Sequence, residues 1–246
     1  MAPICAEEPR KLDFISHLEE LRKRILIILV FFALTAVFAF YKGDYFFSLF
    51  VRPLRATTSR LIFISPTEAF TAYLKIAFLV SFVVTFPVIL YQAWGFLHPA
   101  FPKDVRNRVA LWLFLSLALF AGGVSFSYFI AIPAALKFLI DFGTGIAEAT
   151  ISVGRYISFF GALVLVGGTV FEIPVVIGLL ADTGLMKSET LKRKRPQMVI
   201  AIMILAAVIT PTQDIINMLM FALPMVLLYE VGVVVALGIE KRKSSR

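Results

Sequence analysis

VALWLFLSLALFAGGVSFSYFIAIPAAL (Val109–Leu136) holds no Asp, Glu, Lys or Arg, and it is bounded by Arg108 and Lys137. About 20 apolar residues in a helix cross the hydrocarbon of a bilayer, so this stretch is long enough to do so. Lipid offers no partner to a backbone amide, and a helix satisfies its own amides, so the stretch reads as a helix. Working outward, five further apolar runs cover about residues 25–41, 69–97, 156–181, 198–210 and 215–239. The chain of 246 residues is 60% hydrophobic with a mean hydropathy of +0.90; soluble domains are nearer half apolar. The expected fold class is all-α: a polytopic membrane protein of six transmembrane helices, one integral membrane domain over residues 1–246. Residues 1–24 are largely polar and no small-residue cleavage site follows, so the first run reads as a retained span, not a secretion signal.

The net charge of +8 is distributed, not patched. Of 24 Lys and Arg, 17 fall in four segments: the N-terminal lead, the loop after span two, the loop after span four, and the C-terminal tail. The alternate side carries four, between spans one and two. Basic residues collect in cytoplasmic loops, which places both termini in the cytoplasm and leaves nucleic acid without a claim on the charge. The single cysteine, Cys5, excludes an internal disulfide, and two histidines are too few for a histidine metal centre. No Walker A, HExxH or convincing nucleophile motif is present, so no catalytic residue, cofactor or metal is expected.

Spans five and six are expected to be short. The run at 198–210 rises only ~20 Å against a hydrocarbon core of ~30 Å. It and span six are joined by TPTQD (Thr210–Asp214). The pair either thins the bilayer or forms a re-entrant hairpin. Between spans one and two, FFSLFVRPL (Phe46–Leu54) is apolar with one charge and reads as an interfacial or capping helix on the outer face.

Four acids stand out. In ISHLEELRKR (Ile15–Arg24), Ser16 and Glu19 match a capping box at a helix start. Glu20 stands four residues before Arg24, where an ion pair contributes about 0.2–0.5 kcal/mol; alternatively it is a surface carboxylate that receives a partner's cation. Asp104, in the loop after span two, either caps span three or pairs with Arg108. Glu172 lies mid-span, where a carboxylate costs roughly 2.5–3.5 kcal/mol on insertion scales, so it faces the bundle interior, a cavity or a partner. Pro174 follows it and predicts a kink. Glu230 sits in span six after a second kink at Pro224. Lys75 and Lys137 read as snorkelling anchors.

Several stretches together resemble the TatC family, the polytopic receptor subunits of the twin-arginine protein translocase. They are HLEELRKR (His17–Arg24), SPTEAF (Ser65–Phe70), PVILYQAWGF (Pro87–Phe96), FEIP (Phe171–Pro174), KRP (Lys194–Pro196) and ALPMVLLYE (Ala222–Glu230). The resemblance implies a concave bundle with no chemistry of its own, in the plasma (inner) membrane of a prokaryote or a thylakoid-type membrane. It implies binding of twin-arginine signal peptides on folded cargo, with Glu20 and Asp104 receiving the arginines and Phe96 packing beside them. Asp104 stands for a Glu in the family pattern, after a stretch one residue shorter. The resemblance further implies assembly with TatA- and TatB-type single-span proteins, in several copies, driven by the proton-motive force. Glu172 then meets a partner helix or the inserted peptide, and Glu230 is a second intramembrane polar contact. The competing reading is an ion- or proton-coupled small-molecule transporter using Glu172 and Glu230.

Overall fold

The computed structural model describes residues 9–55, 60–98, 101–143, 150–209 and 215–244, and these are almost all helical. Five segments are long and apolar enough to cross a membrane: His17–Tyr41, Pro66–Leu97, Val109–Asp141, Val153–Thr183 and Phe221–Lys243. A sixth apolar helix, Arg195–Val208, is shorter.

Helix α1 (Pro9–Tyr41) has 33 residues, which rise about 50 Å, so its polar first turns project well beyond a ~30 Å hydrocarbon layer. The described helix begins at Pro9, a residue preorganised for a first turn. Ser16 is therefore helix interior, and the capping box expected at Ser16 and Glu19 is corrected: no helix end lies there. Helix α2 (Gly43–Arg55) is amphipathic and lies across the bundle end. Its Phe50 and Leu54 are buried, and the hydroxyls of Tyr156 and Tyr128 donate to the carbonyls of Phe50 (2.6 Å) and Leu49 (2.9 Å). This is the capping helix expected from Phe46–Leu54.

Strand β1 (Arg60–Ile62) leads into α3 (Pro66–Leu97), where the Ser65 side chain accepts from the Thr67 amide and Pro66 opens the first turn. A short α4 (Lys103–Arg106) precedes α5 (Val109–Phe126), which continues through a π turn, Ser127–Ala131, into α6 (Ile132–Gly143). Strand β2 (Thr150–Ser152) pairs in parallel with β1, Leu61 opposite Ile151. Then come α7 (Val153–Val170), α8 (Ile173–Thr183), α9 (Ser188–Arg193), α10 (Arg195–Ile209) and α11 (Ile215–Ser244).

The expected kink near Pro174 is a two-residue interruption, Phe171 and Glu172, within one span. Helix α7 ends at Val170, and Pro174 occupies the first turn of α8, where a missing amide costs nothing. Pro224, by contrast, lies inside α11, which runs on through it; at 30 residues α11 is long enough to cross, which corrects the expectation of a short span six. The outer turn Thr210–Asp214 lies outside the described residues.

Glycines set the closest helix approach. A Cβ on Gly123 would strike the Gly167 carbonyl, and one on Gly167 would strike Ser127 Oγ, so α5 and α7 meet backbone to backbone. Ser127 Oγ donates to the Leu163 carbonyl at 3.0 Å across this contact. Around it lies the main core, with Tyr156, Phe160, Leu163, Ile76 and Leu79 buried.

Contacts sort the helix ends into two groups. Arg24 of α1 bonds Gln92 near the end of α3, and Asp182 at the end of α8 joins Arg108, just before α5, to Lys243 at the end of α11. A ring contact between Trp94 and Phe101 and a shared cluster of Trp94, Trp112 and Val175 link these groups. One bundle end thus carries the start of α1 and the end of α11. The opposite end carries α2 and the strand pair.

Candidate functional site

Glu20 lies on the exposed part of α1, at the bundle end that carries the start of α1 and the end of α11. It is 40% exposed, and Arg24, one turn on, donates to its Oε1 from Nη2 at 2.5 Å and from Nε at 3.0 Å. The pair expected from the i,i+4 spacing is therefore present. Arg24 is shared: its Nη1 also donates to the Gln92 carbonyl (3.4 Å) and to Gln92 Oε1 (3.3 Å). A Cβ on Gly95 would strike the Arg24 guanidinium, so a glycine is needed there for the arginine to lie flat on α3. Both Arg24 bonds fall on one carboxylate oxygen. The other, Oε2, faces the His17 ring at 3.9 Å.

The His17 ring stacks on Phe96 with centroids 4.3 Å apart and planes 18° apart. The structure thus joins Glu20 and Phe96 in one patch through a histidine. Asp104 lies on α4 at the same bundle end; its side chain is outside the described residues. Its neighbours fix the segment: Val105 is buried, the Phe101 ring packs on Trp94 at 5.2 Å, and Arg106 Nε donates to the Phe101 carbonyl at 3.0 Å.

Glu172 sits at the α7–α8 break, where it is the residue before the first turn of α8. Ser116 Oγ of α5 donates to its Oε2 at 2.5 Å, while Oε1 is buried without a protein partner. The carboxylate faces the bundle interior, one of the arrangements expected for it, with acceptor capacity left over. Glu230 pairs with Arg195, at the start of α10, at 2.6 Å.

A fifth acid escaped the sequence reading. Asp182 has a fully buried side chain. Its Oδ1 pairs with Arg108 Nη1 at 3.1 Å, and Trp112 Nε1 donates to its Oδ2 at 3.2 Å. Lys243 Nζ donates to its backbone carbonyl and stands 3.9 Å from Oδ1. Trp112 reaches it over Gly178, where a Cβ would collide with the indole. The signal was an acid in LLADTG (Leu179–Gly184), at the end of an apolar run where acids normally read as solvated. Among the described residues no group of three or more His, Cys, Asp or Glu is arranged to hold a metal. What the site offers is a half-exposed carboxylate oxygen flanked by stacked rings: a receptacle for a cation joined to an apolar chain.

The profile of the family described as Sec-independent protein translocase protein (TatC) matches residues 16–224. The chain belongs to the TatC family. The protein of that name from Carboxydothermus hydrogenoformans is 34% identical over 238 residues, covering 97% of this chain and 98% of its own length. The Aquifex aeolicus protein of the same name is 36% identical over 221 residues, covering 88% of this chain and 91% of its own. A crystal structure of the twin-arginine translocase receptor TatC superposes with a TM-score of 0.81 at 35% identity, covering 91% of this chain and 99% of that one. A second, in DDM, gives 0.82 with 89% of this chain covered. TatC membership makes the chain a multi-pass membrane component of a protein translocase. The profile match spans Glu20, Phe96, Asp104 and Glu172 and stops before Glu230.

Proposed function

We propose that this chain receives twin-arginine signal peptides at the bundle end that carries both of its termini, and that this end is cytoplasmic. The observation that carries the reading is Glu20. Its Oε2 takes no bond from Arg24 and lies 3.9 Å from His17, whose ring stacks on the half-buried Phe96. An arriving guanidinium can bond that oxygen while Arg24 keeps the other, and a charge-assisted bond of this kind is short and directional. Asp104 supplies the second acid from α4. The apolar part of the peptide lies against Phe96 and continues into the bundle toward Glu172, whose unpaired Oε1 awaits a donor from the peptide or a partner helix. TatA- and TatB-type single-span proteins complete the export complex, in multiple copies, with the proton-motive force as energy source. The membrane is the plasma membrane of a prokaryote or its thylakoid counterpart. Nothing in the geometry favours a small-molecule transporter: Glu230 is committed to Arg195 and shares no contact with Glu172 among the described residues.

The test is a titration of the purified protein in nanodiscs with a labelled signal peptide carrying Arg-Arg or Lys-Lys. Lysine keeps the charge and loses the planar fork. The reading expects at least about tenfold weaker binding for Lys-Lys, equivalent to ~1.4 kcal/mol. Equal affinity for both peptides refutes an arginine-specific receptor.

A further inference from the structure

The opposite end of the bundle holds a groove that the receptor reading does not use. Two hollows of about 780 and 800 Å³ lie along α3 and α7, and Thr71, Lys75, Ser158 and Ala162 line both, so they form one continuous channel. Its part near the strand pair is polar and cationic, with Lys75 and Arg155 exposed on its walls. Lys75 Nζ donates to Ser158 Oγ at 2.7 Å, which turns the ammonium across the groove. The other part is walled by Phe32, Phe78, Phe82 and Leu165.

Among the described residues, the one acid that lines the cationic part is already engaged. Glu68 accepts from the amides of Ile64 and Gly154, each at 2.7 Å, and from the Ser152 hydroxyl, which ties α3 to the strand pair. Among the described residues, no carboxylate lies within ion-pair distance of Lys75 or Arg155. Two cations at the rim of a membrane-facing groove, followed by an aromatic trough, match an amphiphile with an anionic head and a hydrocarbon tail.

We propose that this groove binds an anionic phospholipid of the leaflet facing the strand pair. Its phosphate sits between Lys75 and Arg155, its glycerol oxygens face Thr71 and Ser158, and one acyl chain lies along Phe78 and Phe82. Each basic side chain at a membrane surface attracts an anionic lipid by about fivefold in affinity. Headgroup capture alone would also accept free phosphate; the continuous trough commits the site to a lipid.

The experiment is native mass spectrometry of the purified full chain with phosphatidylglycerol or phosphatidylcholine. Circular dichroism checks that each variant keeps its helices. Wild type is expected to retain phosphatidylglycerol at least about tenfold more tightly than phosphatidylcholine. The double variant Lys75→Gln/Arg155→Gln is expected to erase that preference. Ala162→Trp, which fills the channel where the two parts join and leaves the cations in place, is expected to release both lipids. Excess inorganic phosphate is expected to leave bound phosphatidylglycerol in place. Equal retention of the two lipids by wild type, or unchanged phosphatidylglycerol binding in either folded variant, overturns the proposal. Displacement by inorganic phosphate overturns it in favour of a free-phosphate site. The signal-peptide reading concerns the other bundle end and stands or falls separately.

Discussion

The behaviour of the buried acids is decided residue by residue. Ser116 and Glu172 form a hydrogen-bonded pair inside the bundle, with one carboxylate oxygen left over. Removing only the donor leaves a buried acceptor with less satisfaction than before, which costs about 1–3 kcal/mol, whereas replacing both groups by apolar ones is nearly neutral. Ser116→Ala is therefore expected to lower the melting temperature in detergent, and Ser116→Ala/Glu172→Leu to recover most of the loss. A double variant no better than the single one would show that the pair is not the unit described. Asp182 offers a second case. Asp182→Asn strips the charge that Arg108 and Lys243 face, and it is expected to destabilise the fold by about 1–3 kcal/mol; the two cations are partly exposed, so they regain water and the loss stays below that of a sealed pair. An unchanged melting temperature contradicts the clamp. Residue-scale legibility followed sequence distance. The Glu20–Arg24 pair was readable because helix geometry puts positions four apart side by side. The His17–Phe96 stack and the Asp182 clamp join α1 to α3 and α8 to α5 and α11, and no local rule brings such residues together.

At the scale of elements, the apolar runs announced the helices, and what competed at their ends was harder to read. The capping pattern at Ser16 lost to a helix that starts at Pro9, because the lead is itself a good helix and continues smoothly into the span. The proline after Glu172 separates two helices because it has no amide to offer the Val170 carbonyl, and the Glu172 amide tightens onto Thr169, three residues back. The tight α5–α7 crossing was invisible in the sequence, since glycines in a span signal close approach without naming the partner. Its cost is testable. Gly167→Ala drives a methyl into Ser127 Oγ, which also bonds Leu163, and overpacking of this kind costs about 1–3 kcal/mol. Thermal unfolding should show it, and Gly238→Ala, with open space at its Cβ inside α11, should lose no stability and gain up to about 1 kcal/mol. Similar losses at both positions would contradict the packing argument.

At the scale of the whole molecule, the two bundle ends differ in what they gather. One gathers Glu20, Phe96, the α4 segment and the Asp182 clamp beside both chain ends; the other is closed by α2, the strand pair and the Glu68 hydrogen bonds. The proposed orientation, which puts the first end in the cytoplasm, follows from the charge bias. Cys5, the only cysteine, is a ready label for that orientation. A membrane-impermeant maleimide should react with it in inverted vesicles and spare it in intact cells; the reverse pattern would invert the topology. Helix α10, at 15 residues, rises about 22 Å and falls short of a ~30 Å core, as its sequence indicated. The five long apolar helices and the shorter one at Arg195–Val208 were legible from hydropathy alone, whereas the placement of α2 over Tyr128 and Tyr156 depended on contacts about 80 to 106 positions apart. The receptor reading itself rests on one contact, a peptide arginine on Glu20. A double-mutant cycle measures it: Glu20→Gln in the protein, arginine to glutamine in the signal peptide, and both together, with affinities from fluorescence titration in nanodiscs. The account predicts that each single change weakens binding and that the double change adds little, a coupling of at least ~1 kcal/mol. Strictly additive losses would place the arginine elsewhere and contradict the account.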